Sequence, residues 1–411
     1  MSDRRSPQMT ARERRATLVL ALILLTRMLG LFMVLPVLSP WALVLAGEPG
    51  LAVGLAVGIY GLTQALLQIP LGWLSDIIGR RPVILGGLTI FVVGSMVAAA
   101  ATTVDWLILG RLLQGGGAIA ATSTALLADL LREPVRAIGL AVVGVSIGLS
   151  FLLALLLGPA LMIWTGVPGL FWLAAALGVV AMLLLLFLPA ADQPVTGSGE
   201  RGIPRGVPAL VLAVGVLHAM LAVVFVVVPL QLQTQSAMAT ELQWRVWLPV
   251  VAVSIVVVFP LLRVVETRHW QWQALPLAMA LLAVMLLALG QVPEMLFALV
   301  LCGFFGAFNF LEASLPSMLS RLVGPQRRGR VMGVFSTAQF FGMFVGGSAA
   351  GVLQARWPFA MVLAMAAVLA IPSLVMLWLI ARQAPPTAST STTGVDAAGD
   401  GPVARVARSS G

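Results

Sequence analysis

The chain has 411 residues, of which 60% are hydrophobic and only 9% are charged. A soluble domain carries about 25% charged residues, so this composition excludes a soluble protein and predicts an integral membrane protein. All 24 basic residues are arginine, which excludes mechanisms that need a P-loop or Schiff-base lysine, and the single cysteine, Cys302, excludes an internal disulfide.

Twelve apolar segments follow one another along the chain, and each is long enough to cross a bilayer as a helix of about 20 residues. The predicted spans are 17–45, 51–75, 82–103, 105–130, 136–163, 167–189, 207–233, 244–265, 272–292, 294–321, 329–353 and 357–382. The predicted fold class is therefore all-α and integral to the membrane, with twelve transmembrane helices in two six-helix halves.

Arginines cluster before the first span, after the last span and in every second loop. The positive-inside rule then predicts that both termini are cytoplasmic. We divide the chain into a cytoplasmic arm (1–16), an N-terminal half (17–189), a polar cytoplasmic linker (190–206), a C-terminal half (207–382) and a disordered cytoplasmic tail (383–411). Paired six-span halves are typical of transporters, whose substrate site lies between them near the midplane.

The loop after the second span reads "GWLSDIIGRRPVIL", with five polar or small residues at defined spacing: Gly72, Asp76, Gly79, Arg80 and Arg81. We interpret them as a conformational latch. The aspartate can pair with arginine or with the positive end of a neighbouring helix, Gly79 permits a tight turn, and Gly72 permits close helix approach. The alternative is that the two arginines serve only as topology signals.

Four ionisable residues lie within predicted spans, where a charge costs about 2.5 kcal/mol or more and is functional by default. We consider Arg27, Arg111, Glu312 and His218 as candidates for proton coupling. Burial makes a carboxylate sensitive to a nearby cation, and histidine can titrate near physiological pH. The alternatives are structural: arginines that donate to backbone carbonyls, a neutral glutamic acid, and a histidine that ties two helices together.

Uncharged polar and aromatic residues in the spans are candidates for lining a substrate cavity. They are Tyr60, Gln64, Gln68, Phe225, Asn309 and Gln339. The first three recur every four residues and therefore share one helix face. An interhelical hydrogen-bond seam is the alternative for these three, and packing against core or lipid is the alternative for the phenylalanine.

Three motifs resemble those of the major facilitator superfamily. "GWLSDIIGRRPVIL" is similar to its motif A, "LILGRLLQGGGAI" (107–119) is similar to its motif B, and "GVSIGLSFLLALLLGPAL" (144–161) is similar to the antiporter motif C, centred on Gly158 and Pro159. The resemblance implies the twelve-helix fold of that superfamily. By motif position it also implies a charge relay of Asp76, Arg80 and Asp129.

The resemblance implies a transporter, not an enzyme, of the drug:proton antiporter type, in the inner membrane of a bacterium. It would export hydrophobic or amphipathic small molecules by alternating access, driven by the proton gradient and without a cofactor or metal. Its expected partners are the substrate, protons and the lipid bilayer, not nucleic acid, and a monomer is expected. Two alternatives stay open: an uptake symporter for a nutrient, and a membrane sensor that does not transport.

Overall fold

The structure is a computed structural model that describes residues 8–189, 204, 206–234, 238–323 and 325–383. The first seven residues of the predicted arm, nearly all of the predicted linker and nearly all of the predicted tail lie outside the described residues. Within the described part of the chain, regular secondary structure is entirely helical.

The described helices, which we number in chain order, are α1 Ala11–Phe32, α2 Leu35–Ala46, α3 Leu51–Ile78, α4 Arg80–Ala99, α5 Val104–Gly116, α6 Ala120–Leu130, α7 Glu133–Leu185, α8 Val207–Thr234, α9 Trp244–Thr267, α10 Gln271–Leu289, α11 Glu294–Leu322, α12 Pro325–Gln354, α13 Phe359–Val368 and α14 Ala370–Gln383. A short 3-10 turn, Thr240–Leu242, precedes α9. α1 begins six residues before the predicted first span because Thr10 and Glu13 form a capping box at its start.

Ten of the described helical stretches are long and apolar enough to cross a membrane. One of them, α7, has 53 residues and a path of about 80 Å, more than twice the hydrocarbon core of about 30 Å. Its φ is +64° at Gly166, a left-handed conformation at which the chain turns back. Counting α7 twice and adding α5 with α6 as one broken crossing gives the twelve crossings that the sequence predicts.

Three crossings are interrupted, although the sequence analysis treated them as continuous. The first breaks at Met33 because Pro36, at the start of α2, lacks the N–H of a helical hydrogen bond. The fourth breaks after three successive glycines, with Gly117 in a non-helical conformation. The last breaks at Leu369, between α13 and α14. At the first of these breaks, Gly158 of α7 lies against the backbone oxygen of Met33.

The two halves, α1–α7 and α8–α14, meet closely along α3 and α12. A Cβ placed on Gly54 or Gly61 of α3 would overlap a backbone oxygen of α12, that of Gly347 or Phe340 respectively. A second contact joins α2 to α8, where Ser39 Oγ donates to the carbonyl oxygen of Phe225 at 3.0 Å. These contacts lie toward the end of the bundle away from Arg80, Arg132 and Arg321; we call the two ends the opposite end and the arginine-rich end.

Near the arginine-rich end, α3 and α7 have open surfaces. A Cβ placed on Gly72 of α3, or on Gly144 or Gly148 of α7, would meet no atom within 4 Å. Asp76, one turn beyond Gly72, has a side chain that is 58% exposed. The close contacts between the halves therefore lie toward the opposite end, whereas Gly72 of α3 and Gly144 and Gly148 of α7 have uncovered surfaces.

Replacing Gly158 with alanine is expected to reduce stability by about 1–3 kcal/mol, the usual cost of overpacking. Gly158 is buried, and a Cβ there would overlap the backbone oxygen of Met33, at the break in the first crossing. Gly148→Ala is the matched control on the same helix, because its Cβ would meet open space. Thermal unfolding of both variants in one detergent checks the prediction, which equal melting temperatures would contradict.

Candidate functional site

The residues of the predicted latch lie together at the arginine-rich end of the N-terminal half. Arg80 Nη1 lies 2.5 Å from Asp76 Oδ1, and Arg80 Nε lies 3.3 Å from Asp129 Oδ2 at the end of α6. Nη1 also donates to Ser75 Oγ at 2.6 Å, and that hydroxyl donates to the carbonyl oxygen of Gly72. One arginine thus joins two carboxylates from different crossings.

The turn between α3 and α4 brings these groups together. It consists of Gly79 alone, whose φ of +98° favours glycine and allows α4 to begin at once with Arg80. Arg81 points elsewhere: its Nη2 donates to the carbonyl oxygens of Leu188 (2.8 Å) and Pro189 (2.5 Å) just beyond α7. Arg81 therefore ties two crossings of the N-terminal half together and does not contact the two carboxylates.

The two acids of this cluster are expected to differ in their effect on stability. Asp76 is mostly exposed, and exposed ion pairs contribute about 0–1 kcal/mol. Asp129 is only 13% exposed, and a carboxylate left there without its arginine costs about 3 kcal/mol or more. Arg80→Ala should therefore lower the thermal unfolding temperature clearly, whereas Asp76→Asn should leave it nearly unchanged. An equal loss in both variants would contradict this difference.

Arg27 is fully buried inside the N-terminal half. Its Nη2 donates to Gln64 Oε1 at 2.8 Å, and its guanidinium lies 5.6 Å from the ring centroid of Phe91. Two further buried atoms in this region, Arg27 Nε and Gln68 Oε1, have no hydrogen-bond partner among the described residues. The Arg27 charge is therefore held by an amide and an aromatic face.

Arg111 is held in a similar way by neutral groups. It donates to the carbonyl oxygen of Ala56 at 3.1 Å and to Gln114 Oε1 at 2.7 Å, and Gln114 donates to Ser95 Oγ. Its guanidinium lies 4.5 Å from the ring centroid of Tyr60. Among the described residues, no carboxylate lies within ion-pair distance of Arg27 or Arg111.

The shared face of Tyr60, Gln64 and Gln68 is buried in this conformation, with at most 2% of any of the three side chains exposed. This face is buried because α3 packs it against the helices of its own half that carry Arg27 and Arg111. In this conformation Gln64 binds Arg27 and the ring of Tyr60 lies against Arg111, whereas Tyr60 Oη and Gln68 Oε1 have no hydrogen-bond partner among the described residues. Phe225 is also buried, within an aromatic cluster with Trp247 and Phe305.

Three sequence candidates from three helices meet in the C-terminal half: His218 of α8, Glu312 of α11 and Gln339 of α12. His218 Nε2 lies 2.8 Å from Gln339 Nε2 and 3.5 Å from Glu312 Oε2. Gln339 Nε2 also lies 3.4 Å from Glu312 Oε1. The imidazole is buried, whereas the Glu312 side chain is 38% exposed. A titratable pair therefore faces an accessible space, with an amide bound to both members.

Phe308 packs against this cluster, and a second polar contact lies one turn away on α11. The ring of Phe308 lies 5.7 Å from His218 and 5.9 Å from Phe151 of the other half. Asn309, one turn before Glu312 on α11, donates to Ser254 Oγ at 3.0 Å. The arrangement offers a carboxylate, amides and aromatic faces at the boundary between the halves.

Gly158 and Pro159 are both buried where α7 packs against the break in the first crossing. Among the described residues, no group of three or more histidine, cysteine, aspartate or glutamate side chains is arranged to hold a metal ion.

Two ion pairs at the arginine-rich end were not predicted from the sequence. Arg132 Nε and Nη2 donate to the buried Glu13 carboxylate at 2.8 and 3.0 Å, and these hydrogen bonds raise the pKa of Arg132. Arg321 Nη2 lies 2.7 Å from Glu266 Oε1, on the C-terminal half. The capping-box spacing of Thr10 and Glu13 was a readable signal for the start of α1. The arginine partners are 119 and 55 residues away in the chain, and only the fold brings them together.

A family model described as Major Facilitator Superfamily matches residues 20–290 and again residues 210–409. The chain belongs to the Major Facilitator Superfamily. It is 39% identical over 356 residues to the inner membrane transport protein YajR of Escherichia coli strain K12, covering 84% of this chain and 78% of YajR. It is 29% identical over 356 residues to the multidrug resistance protein MdtH of Aeromonas hydrophila, covering 82% of this chain and 86% of MdtH.

The fold agrees with this membership. A solved structure of a bacterial homologue of the human lysosomal transporter Spinster, in an inward-facing and occupied conformation, superposes with a TM-score of 0.71 at 14% identity, covering 91% of this chain and 96% of that chain. The predicted twelve-helix superfamily fold is confirmed. The protein is a multi-pass membrane transporter of small molecules and not an enzyme.

Proposed function

We propose that this transporter is a proton-coupled antiporter that exports hydrophobic or amphipathic small molecules. The observation that supports it most is the cluster of His218, Glu312 and Gln339, where an accessible carboxylate and an imidazole lie 3.5 Å apart. A carboxylate can hold a proton or face the polar end of a substrate, and each occupant disfavours the other. Exchange of one for the other is antiport. The relative MdtH is described as a multidrug resistance protein, which supports efflux over uptake.

Alternating access would supply the movement that this exchange needs. With the arginine-rich end on the cytoplasmic side, as the positive-inside rule predicts, the present conformation is inward-facing. Both termini are then cytoplasmic, and the name of the relative YajR supports an inner membrane location. In the outward-facing state, the close contact between α3 and α12 at Gly54 would open. The surface of α3 at Gly72 would then become covered. Asp76, Arg80 and Asp129 would then act as the latch, and Gly158 and Pro159 would keep the fifth crossing packed against the first.

The proposed partners are the substrate, protons and the bilayer. Arg27 and Arg111 are proposed to influence proton coupling through their unpaired charges in the N-terminal half. No cofactor is proposed, because the proton gradient supplies the energy, and we expect a monomer.

The experiment is a proton-flux measurement in everted membrane vesicles that have been energised to be acid inside. A pH-gradient dye is followed while lipophilic cations and neutral drugs are added one at a time. An antiporter lets a compound enter as protons leave, so at least one compound should collapse the gradient with this protein and not with empty vesicles. A compound that enters together with protons, so that the vesicle interior becomes more acid, would instead indicate an uptake symporter. The absence of any flux across a broad panel would favour a sensor.

A further inference from the structure

We propose that Gln339 is a positioning residue of the proton site, which holds His218 as the neutral tautomer whose bare Nε2 faces Glu312. The proposal deepens the proposed function and rests on it. Nε2 is then the ring nitrogen that receives the proton, and its hydrogen-bond partner changes from Gln339 to Glu312 on protonation.

The backbone fixes one side of the ring. His218 Nδ1 lies 3.0 Å from the carbonyl oxygen of Val214, one turn earlier on α8. A carbonyl oxygen can only accept a hydrogen bond, so Nδ1 carries the hydrogen. In the neutral ring, Nε2 is then an acceptor and needs a donor.

Gln339 supplies that donor. Its amide nitrogen lies 2.8 Å from His218 Nε2 and 3.4 Å from Glu312 Oε1, so its two hydrogens serve the ring and the carboxylate. Among the described residues, Glu312 is the only charged group in contact with the imidazole, whose other side faces the ring of Phe308. One amide thus bridges the neutral ring and the ionised carboxylate, which do not share a proton of their own.

Protonation changes these partners. A proton taken from solvent binds the lone pair of Nε2, so the ring becomes a cation with donors on both nitrogens. The amide nitrogen of Gln339 cannot accept from Nε2, whereas Glu312 Oε2, 3.5 Å away, can. The contact with Gln339 is then replaced by a His218–Glu312 ion pair, and the carboxylate charge is cancelled within the site.

Gln339 is well placed to pass this exchange to the other half. The next residue, Phe340, has its backbone oxygen against Gly61 of α3 and its ring 6.2 Å from the ring of Tyr60. The hydrogen-bond exchange therefore takes place one residue from a close contact between the halves.

The test is nitrogen-15 NMR of histidine-labelled full-length protein. The chain contains only two histidines, and replacing the exposed His269 with glutamine leaves His218 alone in the spectrum. In this background, the neutral ring should show hydrogen on Nδ1 and none on Nε2. Gln339→Leu removes the donor to the bare Nε2, so the Nε2 signal should move while hydrogen stays on Nδ1, which the carbonyl oxygen of Val214 holds. Gln339→Glu should place hydrogen on Nε2 as well, because a carboxylate only accepts. Phe341→Leu, on the exposed face of α12, is the control and should keep the original pattern.

Gln339→Leu and Gln339→Glu have different expected spectra. If one of these variants fails to fold, the other still tests the proposal. Hydrogen on Nε2 in the unsubstituted ring would overturn the proposal. Ring signals that are unchanged in Gln339→Leu or in Gln339→Glu would also overturn it. The tautomer is measured without transport, so its failure is distinct from a failure of antiport, which the vesicle flux reports.

Discussion

Replacing Gly54 with leucine is expected to abolish transport while leaving each half folded. Gly54 lies in the close contact between α3 and α12, where a Cβ would overlap the backbone oxygen of Gly347 and crowd the backbone of Gly351. Backbone atoms cannot move aside as a flexible side chain can. Overpacking by about 3 kcal/mol would lower the population of the present conformation more than a hundredfold. A transporter that cannot close at the opposite end cannot complete its cycle.

Spin-label distances measure this shift directly. Labels at Ile78 of α3 and Val334 of α12, both exposed near the arginine-rich end, are introduced after Cys302 is replaced with serine. In the Gly54→Leu variant the distance between these labels should shorten as the arginine-rich end closes. Gly86→Leu, on an exposed face of α4 where a Cβ meets no atom within 4 Å, is the matched control. An unchanged distance distribution together with full transport would contradict the prediction.

Replacing Glu312 with glutamine is expected to remove compound-driven proton flux, with a loss of at least about tenfold, because a neutral amide can neither take up a proton nor form an ion pair with a protonated His218. Glutamine keeps the size of the side chain and can still contact Gln339, so the fold should be retained. Glu294→Gln, an exposed acid at the opposite end of the same helix, makes the same chemical change away from the cluster. Proton flux in everted vesicles is compared between the two variants. Full coupling in Glu312→Gln would exclude this carboxylate from the proton site.

The sequence predicted well what depends on local spacing. Hydropathy alone identified the twelve crossings, because every span must satisfy its backbone hydrogen bonds within a helix. Asp76 and Arg80 lie four residues apart, and their contact across the turn at Gly79 follows from that spacing. Asp129 came only through the resemblance to the superfamily.

The rest depends on which helices become neighbours, which one sequence does not state. Periodicity placed Tyr60, Gln64 and Gln68 on one face. It could not show whether this face lines a cavity or packs against the buried arginines of the same half. His218, Glu312 and Gln339 were separate candidates, and the fold joins them across three helices. The break at Met33 explains why Gly158 must lack a side chain, yet hydropathy averages over that break.

Proton release on compound binding tests the proposed exchange most directly. Purified protein in a weakly buffered detergent solution is mixed with a compound that collapses the gradient in vesicles, and the pH change is recorded. If compound and proton exclude each other at His218, Glu312 and Gln339, binding should release up to about one proton per protein, and Glu312→Gln should bind without release. Binding with no release in the unsubstituted protein, or with proton uptake, would contradict antiport at this site.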